Sequence, residues 1–187
     1  MELLLKKIQK FLVNPDNNIR KSAYAAKVYL SPTSQGEIIY QELKNSMDTH
    51  ARDGGSWGFY CLAKNAVMNI MDPFKKINTF SIEYNYDLYL QELMGKNVSF
   101  EQRQRHIKLL SYAIGLWDRA EYYYERGILY QRDGKLDLAE KDLKKAYQIN
   151  PQSERYILEL ANIYSLTNKK ELAANLVKDM IEVITYH

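Results

Sequence analysis

Residues Ala120–Pro151 read AEYYYERGILYQRDGKLDLAEKDLKKAYQINP, and this stretch decides the fold. Its side-chain pattern recurs 34 residues later, from Glu154 onward. The first copy carries two aromatic residues around a glycine and then two alanines around a leucine: Tyr123, Gly127, Tyr130, Ala139, Leu143 and Ala146. The second copy carries apolar or small residues at the same six places: Ile157, Ala161, Tyr164, Ala173, Val177 and Met180. This period predicts helical hairpins, because small residues let two helices approach closely while larger ones fill the seam.

The turn between the two helices also repeats. Asp133-Gly134-Lys135 in the first copy corresponds to Thr167-Asn168-Lys169 in the second. Gly134 and Asn168 occupy the same position, and glycine and asparagine are the residues that best tolerate a left-handed backbone at a helix end. We therefore expect equivalent tight turns in both hairpins.

This pattern resembles the tetratricopeptide repeat (TPR) family over residues 120–185. The resemblance implies an all-α fold, a short right-handed helical-repeat solenoid, and members of the family are as a rule scaffolds that hold another protein. Upstream the register fails, since Leu93 falls at the small position and Arg105 falls where the second helix requires alanine. The resemblance therefore covers about the last third of the chain.

In that family, the ligand groove is lined by first-helix positions that point away from the second helix. The resemblance implies that the matching residues bind a partner: Glu121, Tyr124, Glu125, Ile128, Gln131 and Arg132 in the first unit, and Arg155, Leu158, Glu159, Asn162, Ser165 and Leu166 in the second. The alternative is that some of them face solvent idly or are covered by the N-terminal helices. Such a groove is mixed in character. Tyr124, Ile128 and Leu158 suit an apolar side chain of the partner, whereas Glu121 and Glu125 favour a basic one.

One ligand mode of the family clamps the terminal carboxylate of heat-shock chaperones with Lys, Asn and Arg side chains. The matching positions here hold Tyr124, Ile128 and Glu125, and only Arg155 and Asn162 have compatible chemistry. The sequence therefore disfavours this mode.

Helical periodicity with stop signals runs along the whole chain, and no stretch shows the sustained alternation of a half-buried strand. We expect a single all-helical domain, residues 1–187, with about ten helices in antiparallel hairpins. Residues 1–119 are expected to form divergent hairpins, and residues 120–185 the two TPR-like units.

Local signals predict several helix boundaries in the N-terminal part. Capping-box spacing occurs at Ser34 with Glu37 and at Ser99 with Gln102. The stretch 52–55, Arg-Asp-Gly-Gly, is predicted to be a loop, with Ser56 capping the helix that follows. Further on, a tyrosine-rich helix is predicted to end at Gly95.

The composition is that of an ordinary globular protein. The chain has 187 residues, of which 46% are hydrophobic and 26% charged, so disorder is disfavoured. A formal charge of +3 does not by itself argue for nucleic acid. The single cysteine, Cys61, excludes an internal disulfide, and its apolar surroundings favour a buried structural thiol.

The N-terminal stretch MELLLKKIQKFLV is predicted to be an amphipathic helix. Leu4, Ile8 and Phe11 share one face, and lysines occupy the other. Glu2 precedes the apolar run and lysines interrupt it, which disfavours a signal peptide. No segment approaches the roughly 18 apolar residues of a membrane span. We therefore expect a cytoplasmic protein with no membrane partner.

No residue pattern supports an enzyme, so we expect no catalytic residues and no cofactor. Asp48, His50 and Asp53 have the chemistry of metal ligands, but they straddle a helix end where polar residues are common, and no metal site is predicted. His106 has polar neighbours and is predicted to lie on a solvated face. No serine or cysteine comes with a nearby histidine and carboxylate pattern, and Gly54-Gly55 lacks the lysine of a phosphate loop.

Sixteen tyrosines raise the alternative of nucleic-acid binding, because aromatic rings interleaved with Lys and Arg can stack bases. Tyr123, Tyr130 and Tyr164 fall on apolar stripes, so core packing is the better account. The basic N-terminal segment keeps the alternative open.

Two hypotheses about function remain. The first is an adaptor that binds a peptide or helix of a partner protein in the TPR-like groove. The second is a dedicated inhibitor, immunity protein or secretion chaperone that masks one cognate protein with a broad surface. A homodimer is also possible through the open end of the array, where Ile184 and Tyr186 lie.

Overall fold

The computed structural model describes residues 2–68 and 98–185, and the regular structure in these ranges is entirely helical. The chain divides into two compact units, Met1–Asp118 and Arg119–His187. The all-α fold expected from the sequence is confirmed for the described ranges. The boundary between the units lies one residue from the boundary expected between the divergent helices and the repeats, and a single folding domain stays a prediction.

The first unit contains five α-helices within the described residues. They are α1 (Glu2–Ile8), α2 (Asn17–Leu30), α3 (Gly36–Lys44), α4 (Thr49–Met68) and α5 (Phe100–Leu116). Short 3-10 turns at Gln9–Phe11 and Thr33–Gln35 precede α2 and α3. The long helix α4 is the centre of this unit, since it packs against α2, α3 and α5.

The predicted loop at residues 52–55 is wrong, because these residues lie inside α4. The glycines serve close packing instead of a turn. A Cβ atom on Gly54 would overlap the Lys21 carbonyl of α2, and one on Gly58 would come within 2.7 Å of the Ala25 carbonyl oxygen. Two glycines one turn apart on one side of α4 therefore allow α2 to approach its backbone.

Aromatic rings fill the core between α3, α4 and α5. Tyr40 stacks on Tyr112 with ring centroids 4.7 Å apart, and Phe59 lies 5.1 Å from Tyr112. The Tyr112 hydroxyl donates a hydrogen bond to the Glu37 carboxylate at the edge of this cluster.

The two predicted capping boxes have opposite outcomes. At the start of α5 the box is present, with the Gln102 amide donating to the Ser99 hydroxyl and the Ser99 amide donating to the Gln102 side chain. The box at Ser34 and Glu37 is absent, since α3 begins after Gln35 without a side-chain cap. Glu37 accepts a hydrogen bond from Tyr112 instead.

Two further predictions for this unit need correction. The N-terminal helix ends at Ile8, and both Leu4 and Phe11 are substantially exposed. His106, predicted to face solvent, is fully buried in α5. The predicted tyrosine-rich helix that ends at Gly95 lies outside the described residues.

The second unit consists of two helical hairpins. The first pairs α6 (Ala120–Arg132) with α7 (Leu136–Ile149), and the second pairs α8 (Glu154–Leu166) with α9 (Lys170–Thr185). Helices α7 and α8 pack against each other, so the hairpins stack. These are the elements that the 34-residue period predicts. The described ranges contain nine α-helices in all, close to the ten expected.

The turns of the two hairpins are equivalent, as predicted. Gly134 has φ of 72° and Asn168 has φ of 60°, and Asn168 is the only described non-glycine residue with a positive φ. The next residue in each turn donates its amide to a carbonyl five residues earlier, Lys135 to Tyr130 and Lys169 to Tyr164.

Close helix contacts hold the first hairpin together. A Cβ atom on Gly127 would come within 2.9 Å of Leu143 Cγ, so the small residue is required there for close approach. Beside it, Arg126 pairs with the buried Asp142 through two hydrogen bonds of 2.7 and 2.9 Å. This planar bidentate pair links α6 to α7 with a fixed geometry.

A second polar link joins the two hairpins. The Glu140 carboxylate of α7 accepts a hydrogen bond of 2.6 Å from Lys169, which lies in the turn of the second hairpin. It also accepts one of 3.0 Å from Lys144 on its own helix.

Among the described helices, none is long and apolar enough to cross a bilayer.

Candidate functional site

The outward side of α8 is the most accessible part of the predicted groove. The inward side of this helix is buried, through Tyr156, Ile157, Leu160, Ala161, Ile163 and Tyr164. The other side carries five exposed residues that recur at helical spacing: Arg155, Leu158, Asn162, Ser165 and Leu166. This set is named the α8 face. Leu158 and Leu166 are 51% and 56% exposed, so this side of α8 offers two apolar side chains to solvent.

The matching positions of α6 are placed differently. Glu121 is exposed, and Gln131 and Arg132 are half-buried. Tyr124, Glu125 and Ile128 are buried. The structure therefore leaves the α8 face and Glu121 accessible, while these three α6 side chains are inaccessible in this conformation. Binding by the predicted groove residues stays a prediction.

Tyr124 contributes to packing inside the second unit. Its ring lies 5.0 Å from the ring of Tyr156, at a tilt of 37°, and so joins α6 to α8. Burial raises the pKa of Tyr156 to about 12, and the negative charges of Glu121 and Glu125 add to the increase. Burial also raises the pKa of Tyr124, with a further contribution from Glu159. Acidic side chains and Arg155 thus lie near the two rings.

A shallow depression lies at the start of α8, next to the α8 face. It is lined by Gln152, Ser153, Glu154, Arg155, Leu158 and Glu159. Glu159 is half-buried, and its Oε2 atom is buried without a hydrogen-bond partner among the described residues. The depression therefore combines an apolar wall, Leu158, with the half-buried acidic residue Glu159.

The side chains considered for a metal site form ion pairs with α2 instead. Asp48 accepts from Arg20 at 2.9 Å and from the backbone amide of His50, so it helps to start α4. Asp53 pairs with Lys21 at 2.6 Å. These carboxylates hold α4 against α2, and the described residues contain no group of three or more metal-ligating side chains.

The sequence patterns missed one part of this site. Gln152, Ser153 and Glu154 line the depression although they precede the groove positions of the second unit. Pro151 is the sequence signal that could have indicated these residues. A proline that ends one repeat places the next three residues at the N-terminus of the following helix.

One comparison with known proteins agrees with the repeat pattern. The family model described as "Tetratricopeptide repeat" matches residues 120–153. No curated protein gives a significant match. A solved structure described as "MamA RS-1 ArsTM double mutant" is similar at 16% sequence identity, with a TM-score of 0.47, covering 98% of this chain and 94% of that one.

The family match coincides with α6, α7 and the turn into α8, and its small, aromatic and turn residues have the packing roles described above. Residues 120–153 are therefore a tetratricopeptide repeat.

Proposed function

We propose that this chain is a protein–protein interaction adaptor that holds a segment of a partner protein on the α8 face. The observation that carries the proposal is the exposure of Leu158 and Leu166 on the first helix of the second hairpin. This is the helix that lines the ligand groove in tetratricopeptide repeats. The two leucines, with polar side chains between them, offer a partner two apolar contacts and hydrogen-bonding groups on one side of the helix.

The chemistry of the α8 face specifies the kind of segment it suits. Leu158 and Leu166 are eight residues apart, so about 12 Å separates them along the helix. Asn162 and Ser165 lie between or beside them and offer hydrogen bonds. A partner segment with two apolar side chains at a similar separation fits this spacing, whether helical or extended.

A basic residue in the partner segment would complete the site. Glu154 and Glu159 line the depression, and Glu121 is exposed on the neighbouring helix. An ammonium or guanidinium group placed in the depression would donate to Glu159 while its neighbours contact Leu158. We therefore propose a partner segment that carries a Lys or Arg next to its first apolar anchor.

The test compares partner capture by matched variants of the full chain. Tagged wild-type protein, L158D/L166D and the control L138D/L172D are incubated with extract of the source cells, and bound proteins are quantified by mass spectrometry. Leu138 and Leu172 are exposed to a similar degree but lie on the second helices of the hairpins. The proposal expects a defined protein whose recovery falls at least about tenfold with L158D/L166D and is unchanged with the control.

Equal recovery with both double variants would exclude the α8 face as the binding surface. If a captured protein forms a one-to-one complex and is toxic or insoluble when expressed alone, the inhibitor or secretion-chaperone alternative is favoured. The Glu159→Gln variant then tests the basic residue, since it keeps the shape of the side chain and removes its charge.

A further inference from the structure

The N-terminal segment exposes several large apolar side chains. Leu3 is 67% and Val13 is 81% exposed, and Leu4 and Phe11 are also open to solvent. Only part of this short segment, including Ile8, contacts α2. Residues 3–13, named here the N-terminal segment, thus present a run of large apolar side chains that the first unit does not cover.

The apolar surface continues onto α2. A shallow depression beside the segment is lined mainly by apolar side chains, namely Ile8, Phe11, Ile19, Ala23 and Ala26, with Asn18 and Ser22 at its edge. Ile19 is itself exposed. The exposed patch therefore extends over two helices and includes a recess that can accept an apolar group.

Positive charge is concentrated in the same place. The first 30 residues contain six basic and two acidic side chains, whereas the whole chain has an excess of only three positive charges. Arg20, Lys21 and Lys27 each pair with a carboxylate of α3, α4 or the link between them. The lysines of the N-terminal segment, Lys6, Lys7 and Lys10, are exposed among the apolar side chains.

We propose that the N-terminal segment binds the surface of an anionic lipid bilayer. Its apolar side chains would enter the boundary between headgroups and acyl chains, and its lysines would contact lipid phosphates. Lys10 already lies over the Phe11 ring, with Nζ 4.9 Å from the centroid, so charge and apolar surface are in direct contact. This is attachment to one surface, which needs no spanning helix, and it departs from the expectation of no membrane partner.

The distribution of exposed side chains favours a bilayer over a protein ligand. Leu3 and Val13 are among the most exposed apolar residues of the segment, and they lie at its two ends. Neither lines the depression. A peptide bound in the depression would leave both in water, whereas a bilayer surface is wide enough to cover the whole segment.

The test uses the full chain and vesicles of phosphatidylcholine, with or without phosphatidylglycerol, separated by sedimentation. We expect binding to the vesicles that contain phosphatidylglycerol, weaker binding as salt increases, and little binding to phosphatidylcholine alone. K6E/K7E/K10E should lower the affinity at least about tenfold. The control K135E/K141E/K170E makes the same change of charge at lysines exposed elsewhere and should bind like the wild type.

A second pair of variants tests insertion of the apolar side chains. L3S/L4S should weaken binding to the same vesicles, and L138S/L172S should not, although all four leucines are exposed. Circular dichroism checks that each variant is folded. The proposal is overturned if the wild type does not sediment with anionic vesicles, if K6E/K7E/K10E binds as well as its control, or if an acidic amphipathic peptide binds the segment while vesicles do not.

Discussion

Gly54 of α4 lies against the backbone carbonyl of Lys21 in α2, so closely that no Cβ atom fits between them. A turn later, Gly58 has the same relation to Ala25. Glycine is therefore retained inside a long helix, despite its helix-disfavouring backbone freedom, because the neighbouring helix occupies the space of a side chain.

Replacing Gly54 by alanine should destabilise the protein. The methyl group would overlap a backbone atom, which cannot rotate away as a side chain can, and we expect a loss of about 2 kcal/mol in the free energy of unfolding. Gly36→Ala is the control, because its Cβ would meet only ring carbons at 3.9 Å. Urea unfolding measures both, and equal stabilities would show that α2 and α4 do not pack this closely in solution.

Gly134 should tolerate asparagine better than alanine. Its φ of 72° is strained for an L-residue, and nothing lies within 4 Å of a Cβ built there, so any cost comes from the backbone alone. Gly134→Ala should lose about 1 kcal/mol. Gly134→Asn should lose less, since Asn168 occupies the equivalent turn at φ of 60°. Thermal melts of both variants check this order, and an equally stable Gly134→Ala contradicts it.

These two glycine sites show what a sequence does and does not encode locally. Gly134 was predictable because a left-handed residue ends a helix in both copies of the repeat, and the requirement lies within the turn itself. Gly54 and Gly55 were predicted to form a loop because the same residue type serves turns and tight helix contacts. Which role applies depends on α2, whose contact residue Lys21 is more than 30 positions away.

In the candidate site, too, some features follow from the local sequence and others depend on contacts between helices. Five of the six α8 positions that the repeat register gives are exposed, because the helical period places them on one side, and Glu159 is half-buried. It does not encode whether the corresponding side of α6 is accessible, and Tyr124 and Ile128 are buried. The prediction for His106 is wrong for a similar reason, because its polar sequence neighbours say little about packing between helices.

His106 should make the protein less stable in mild acid. Burial, with a smaller contribution from Lys64, lowers the pKa of His106 from 6.5 to about 3 in the folded protein. Between these pKa values the unfolded chain binds a proton at this histidine that the folded chain does not. The free energy of unfolding should therefore fall as the pH decreases below about 6.5, by up to about 1.4 kcal/mol per pH unit from this group.

The comparison with His106→Gln isolates that contribution. Carboxylates such as Glu140, whose pKa is lowered in the folded protein, also lose stabilising contacts in acid. The slope of the wild-type unfolding free energy against pH therefore does not by itself report on His106. Unfolding free energies from neutral pH to about pH 4.5 should fall less steeply for His106→Gln than for the wild type. Parallel slopes would mean that this histidine is accessible to protons in the folded state.

Tyr124 and Leu158 were predicted from the sequence as equivalent groove residues, and the structure separates their roles. Tyr124 is buried against Tyr156, so Tyr124→Ala removes packing between α6 and α8 and should cost about 3 kcal/mol of stability. Tyr124→Phe keeps the ring and should cost much less.

Leu158 is half exposed, so Leu158→Ala should change the free energy of unfolding by less than about 0.5 kcal/mol while weakening partner capture. Urea unfolding combined with capture distinguishes the two. A stable Tyr124→Ala protein that loses its partner would instead show that α6 opens and that Tyr124 contacts the ligand.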